Sequence, residues 1–101
     1  MDKDTAILNI LEAIQKSFPT DFWTPTSFWD ADNHAVGLLH KSKLVYISNW
    51  DFRTLPPDEM RYYAEFEKID MESQEARGTE KILKGITQTE LIDEMREITF
   101  E

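Results

Sequence analysis

Apolar residues are densest between Ala35 and Trp50, AVGLLHKSKLVYISNW, where a polar break at Lys41-Ser42 separates two strand-like runs. The pattern predicts a β-hairpin of strands 35–40 and 43–50 in the middle of a small sheet. With Lys41-Ser42 as a two-residue turn, Leu39 faces Leu44, Leu38 faces Val45 and Val36 faces Ile47. Neither turn position carries the favoured Asn-Gly or Gly, which leaves room for a longer or bulged turn. One hairpin face would hold Val36, Leu38, Val45 and Ile47; the other would hold Leu39, Leu44, Tyr46 and Trp50. A sheet wet on one side alternates more cleanly, so this hairpin is expected to be covered, at least in part, on both faces.

The flanks read as two helices and further strands. Ile7, Ile10, Leu11 and Ile14 recur at helical spacing and predict an amphipathic helix over 5–17, capped by Asp4 or Thr5 and stopped at Phe18-Pro19. A loop with Pro25 and an exposed pair, Phe22-Trp23, is expected next, then a short strand over 26–30 and a turn at Asp30-Ala31-Asp32-Asn33. Pro56-Pro57 marks a loop over 51–58. Residues 59–71 fit either period: Tyr62, Phe66 and Ile69 on a helix, or Tyr62, Ala64 and Phe66 on one side of a strand. The strand reading is preferred, because the wording Tyr-Tyr-Ala-Glu-Phe-Glu is β-like and the hairpin needs another partner. A polar loop over 70–79 and a last strand over 81–86 follow. Thr87-Gln88-Thr89-Glu90 is a capping box with Ile86 and Leu91 as its staple, opening a helix that buries Leu91, Ile92, Met95 and Ile98. The sum is a single α+β domain over 1–101, an antiparallel meander of three to five strands with an N-terminal and a C-terminal helix packed on it.

Charge changes the picture. The net charge is −9, and the acids concentrate in the second half: residues 1–50 hold six acids and four bases, residues 51–101 fourteen acids and seven bases. Such a field repels nucleic-acid phosphates and anionic lipid and draws basic partners. Hydrophobic content of 41% suffices for a packed core, and the absence of cysteine excludes disulfides and zinc–thiolate sites. The start carries no apolar run of a secretory leader, and no stretch approaches a membrane span, so a cytoplasmic location is expected.

Candidate chemistry is thin. Asp30, Asp32 and His34 could hold a divalent cation, as in a small metal-dependent hydrolase. The stretch resembles the opening of a calcium-binding EF-hand loop, but Ala35 stands at the required glycine and Lys41 at the closing glutamate. A polar turn is the better reading. No phosphate-binding glycine loop or nucleophile elbow is present, so no enzyme and no cofactor are expected. The aromatic residues are more telling, since Trp and Tyr anchor protein interfaces. Trp50 and Phe66 are assigned to the core, whereas Phe22, Trp23 and Tyr63, with Glu65, Glu67, Asp70, Glu72 and Glu75, form the candidate partner-binding set. The surplus carboxylates are expected to stand together as one docking surface.

In size, acidity and lack of catalytic motif the chain resembles bacterial immunity proteins that neutralise toxic nucleases. The likeness is one of class and composition, and it transfers no residues. It implies a binding module whose negative face occludes a basic partner such as a nuclease toxin. Two rival readings are an oligomeric structural or regulatory subunit that associates through a sheet edge or the Phe22-Trp23 loop, and the hydrolase above.

Overall fold

Helix α1, Thr5–Ser17, forms where the apolar stripe places it, and buries Ala6, Ile7, Ile10 and Ile14. Asp4 is its cap, accepting the Ala6 amide at 3.2 Å. The structure is a computed structural model that describes residues 3–26, 29, 31–70, 72–73 and 75–99, with 76 and 77 described by backbone alone. Five strands follow α1: β1 Thr24–Pro25, β2 Ala35–His40, β3 Lys43–Ser48, β4 Tyr62–Ile69 and β5 Ala76–Ile86. Helix α2, Gln88–Thr99, closes the described chain. The strands make one antiparallel sheet in chain order, β1-β2-β3-β4-β5. This is the expected α+β meander, with the helices packed on the sheet.

The hairpin register is the expected one, with Leu39 opposite Leu44, Leu38 opposite Val45 and Val36 opposite Ile47. Lys41 takes φ of 54°, a left-handed conformation, so the tight turn forms without glycine. Residues 62–69 are a strand because Tyr62, Ala64, Phe66 and Ile69 are buried while their neighbours are not, and only an extended chain can fill the gap between β3 and β5. Three expectations are corrected. The strand expected over 26–30 is instead a two-residue pairing at Thr24–Pro25, and Ser27, Phe28 and Asp30 lie outside the described residues. β3 ends at Ser48, and a 3-10 turn over Trp50–Phe52 turns Trp50 outward to 53% exposure, so it is not a core residue. β5 begins at Ala76 rather than 81, taking up the last part of the expected loop, residues 76–79.

The core lies between one face of the sheet and both helices. Val36, Leu38, Val45, Ile47, Tyr62, Ala64 and Phe66 meet Ile7, Ile10 and Ile14 of α1 and Leu91, Ile92, Met95 and Ile98 of α2. Burying such side chains stabilises by about 1.5–3 kcal/mol each, and this layer is the main support of the fold. Tyr62 crosses it to donate its hydroxyl to the Ala6 carbonyl at 3.0 Å, and burial followed by the Asp4 charge pushes its phenol up. The capping box forms as expected: Glu90 N–H donates to Thr87 Oγ1 at 3.2 Å and Thr87 N–H to Glu90 Oε1 at 2.9 Å. The Thr87 amide, then the Thr87 hydroxyl, hold the Glu90 carboxyl below its usual range.

Gly37 fixes how the other face is covered. A Cβ there would collide with the Trp29 ring and stand 2.8 Å from Thr26 Oγ1. Trp29 lies across this glycine and tilts onto Tyr46, ring centroids 4.8 Å apart. Gly37→Ala should therefore displace the Trp29 loop and cost about 1–3 kcal/mol, read as a lower urea midpoint. An unchanged midpoint would show that Trp29 does not rest there.

Candidate functional site

Residues of β3, β4 and β5 that alternate with the core set form a second sheet face, which no helix among the described residues covers. Leu44 stands beside Glu67, Tyr46 beside Glu65 and Ser48 beside Tyr63 across β3 and β4. On β5, Ile82 flanks Glu65 and Lys84 flanks Tyr63, and Ile82 is 49% exposed. Where this face meets the loops, Asp32, Tyr46, Ser48, Trp50, Asp51 and Tyr63 line an open recess of about 520 Å³. Its aromatic walls are held in place. Tyr46 and Tyr63 meet edge to face at 6.2 Å, Trp50 takes the His34 ring edge-on at 5.1 Å, and the Arg53 guanidinium lies 3.8 Å over the Trp50 ring. Backbone bonds fix the same turn: Trp50 N–H donates to Ser48 Oγ and Arg53 Nη1 donates to the Trp50 carbonyl.

Charge on this face is one-sided. Among the described residues, Asp32, Asp51, Glu65 and Glu67 have no lysine or arginine within ion-pair distance. Ion pairs among the described residues of the second half engage Glu80, Glu90, Asp93 and Glu94. Lys84, opposite Tyr63, and Arg53, over the Trp50 ring, are cations at the rim, and Lys3 Nζ donates to the Asp32 carbonyl. Carboxylates beside aromatic rings that form no ion pair within the chain can receive a cation from outside.

The partner-binding set proposed from the sequence falls in three places. Tyr63, Glu65 and Glu67 share the open face. Asp70, Glu72 and Glu75 sit in the turn after β4, where Asp70 Oδ1 accepts the amides of Glu72 and Ser73 and its own amide donates to the Glu75 carbonyl. Phe22 and Trp23 lie on the helix side. The expected exposed pair is not exposed: Trp23 is a core residue at 7% exposure, and Phe22 stacks on His40 with centroids 3.8 Å apart. A cleft of about 400 Å³ runs beside them, and the Trp23 indole N–H meets no acceptor. The carboxylates therefore do not converge on one surface. Tyr46, Trp50, Asp32 and Asp51 complete the recess and were absent from the set; the cross-strand neighbour of Glu65 was the signal, and it needs the β3–β4 register.

The metal reading gains no geometry. Asp32 Oδ1 accepts the His34 amide at 2.8 Å, the polar turn expected there, and Asp30 lies outside the described residues. Among the described residues no three His, Cys, Asp or Glu side chains are grouped to hold a metal ion. No helix among them is long and apolar enough to cross a membrane.

Tyr63 reports the electrostatics of the face. Its hydroxyl donates to Glu65, and this bond, then burial, then the charges of Glu65, Tyr46 and Asp51 push its phenol up to about 12. The neutral phenol is the favoured form, so any stabilisation from the bond is complete below about pH 10 and lost as pH climbs through the raised value. NMR titration of the tyrosine rings should place Tyr63 at about 12, and Glu65→Ala should return it toward about 10. A Tyr63 that titrates near 10 in the intact protein would contradict this geometry. Set against known protein families, curated proteins and solved structures, the chain matches none.

Proposed function

We propose that the protein is an acidic protein-binding module that docks a basic partner on the open face of its sheet. The observation that carries this reading is the recess of Tyr46, Trp50 and Tyr63 bordered by Asp32, Asp51 and Glu65, carboxylates that form no ion pair among the described residues. Rigid aromatic anchors supply contact area at little entropic cost, and the carboxylates steer encounter and set register. A partner whose own site is basic, such as a nuclease, would meet carboxylates where it expects phosphates. That is the manner of the immunity proteins the chain resembles in size and acidity, and it makes inhibition the natural consequence of docking.

Association through the sheet edge is less well supported. β5 is the long outer strand, but register shifts at three points break it into short pieces, and Gly85, at φ of 67°, forms one of those bulges. Lys81 and Lys84 add charge along it. Bulges and lysines are the devices that keep edge strands from pairing.

A polycation binds any acidic protein weakly, so the test is positional. A peptide of alternating arginine, lysine and glycine is titrated into the chain and into two doubly neutralised variants. Asp51→Asn with Glu65→Gln alters the open face, and Glu12→Gln with Glu97→Gln removes equal charge from the helices. The open-face pair should weaken binding at least about fivefold, with a shallower salt dependence, and the helix pair should change it less than about twofold. Equal losses would mean that diffuse charge alone attracts the peptide, and the reading would fall.

A further inference from the structure

We infer that the open-face recess is a seat for an arginine side chain of the partner, with the guanidinium against the rings of Trp50, Tyr46 and Tyr63 and its charge met by Asp51 and Asp32. This deepens the docking reading and rests on it; what it adds is which side chain leads.

Three observations favour a guanidinium over an ammonium. The walls are aromatic: three rings and two carboxylates line an open recess of about 520 Å³, so a cation can lie against the rings while keeping part of its water. A guanidinium is weakly hydrated, planar and stacks on rings, whereas an ammonium is strongly hydrated and acts as a point charge. The chain also shows what this indole accepts. Arg53 already lies 3.8 Å over Trp50 and ties its Nη1 to the Trp50 carbonyl at 2.7 Å, so the ring stacks a guanidinium within the chain itself. Finally, Arg53 leaves Asp51 unpaired. Asp51 is exposed, borders the recess, and among the described residues forms no ion pair. A carboxylate beside aromatic rings offers an incoming guanidinium paired hydrogen bonds in addition to stacking.

Other occupants fit worse. An anionic ligand would meet Asp32 and Asp51 at the mouth. A second copy of the chain brings a net charge of −9 to a negative face. A purely apolar segment would leave both carboxylates desolvated and unpaired, at a cost.

The experiment compares two peptides of equal length and charge, Gly-Arg-Gly-Arg-Gly amide and Gly-Lys-Gly-Lys-Gly amide, titrated into the full chain at constant ionic strength. Binding is followed by calorimetry, and amide NMR shifts locate it. The arginine peptide should bind about tenfold more tightly, a difference of about 1.4 kcal/mol, and should shift residues 46, 50 and 63. Asp51→Asn should weaken the arginine peptide about fivefold and remove most of the preference, and Trp50→Leu should also remove it. Asp58→Asn, an equal charge change in the Pro57–Glu59 turn, should leave the preference intact. Equal affinity for the two peptides, or a preference that survives Asp51→Asn, overturns the arginine seat. If affinities are equal but both fall with Asp51→Asn, the docking face stands and only the seat is lost. If neither peptide responds to changes on the open face, both readings are lost.

Discussion

Side chains alternate across β3 and β4, so a sheet that buries Val45, Ile47, Ala64 and Phe66 must also present Leu44, Tyr46, Tyr63 and Glu65 on its other side. Both helices go to the first side. The second is closed only in part, by Trp29 laid across Gly37 and against Tyr46. Everything proposed about function follows from that inequality. The recess opens beside Trp29, with Tyr46 shared between them; the strand period places Tyr46, Ser48 and Tyr63 in it, and the loops add Asp32, Trp50 and Asp51. Glu65 cannot be turned inward without turning Phe66 outward.

The recess is tied to the core through a polar hub. Asn49, fully buried just after β3, donates its Nδ2 to Asp4 Oδ2 at 3.1 Å and its backbone N–H to the His34 carbonyl at 3.0 Å. Asp4 in turn caps α1 and donates its own amide to the Asn33 carbonyl. The start of α1, the loop before β2 and the end of β3 are therefore pinned to one another. Trp50, Asp51 and Asp32 are all within two residues of a member of this hub. Asn49 Oδ1 is left without a partner, a cost of about 1–3 kcal/mol that the surrounding bonds must outweigh. A site whose walls come from separate segments needs such a joint if its geometry is to be held before a partner arrives.

Much of the scaffold was legible in the sequence, for local reasons. The α1 stripe, the stop at Phe18-Pro19, the Thr87–Glu90 box and the hairpin pairing each depend on residues close in the chain, where spacing alone decides. The site was legible only by halves. Tyr63, Glu65 and Glu67 follow from the period of β4, but their neighbours Tyr46 and Trp50 depend on how β3 and β4 align across the intervening residues 49–61, which no local pattern sets. The apolar run, which Trp50 extends, points it inward, yet the buried Asn49 and the 3-10 turn after it reverse its direction. A proline-bearing loop predicts an outward Phe22-Trp23. That loop packs against Phe18 at the end of α1, and an aromatic cluster of Phe18, Phe22, Trp23 and His40 fills the gap there. Tertiary contact outweighed local composition at both sites.

The central claim is that the open-face carboxylates serve a partner and not the fold. Equilibrium urea unfolding of the doubly neutralised chain, Asp51→Asn with Glu65→Gln, examines it without needing any ligand. Glutamine keeps an acceptor for the Tyr63 hydroxyl, and both changes relieve repulsion on an acidic face. The account predicts a stability equal to that of the parent or slightly higher. A loss greater than about 1 kcal/mol would contradict it, because the carboxylates would then be holding the structure together.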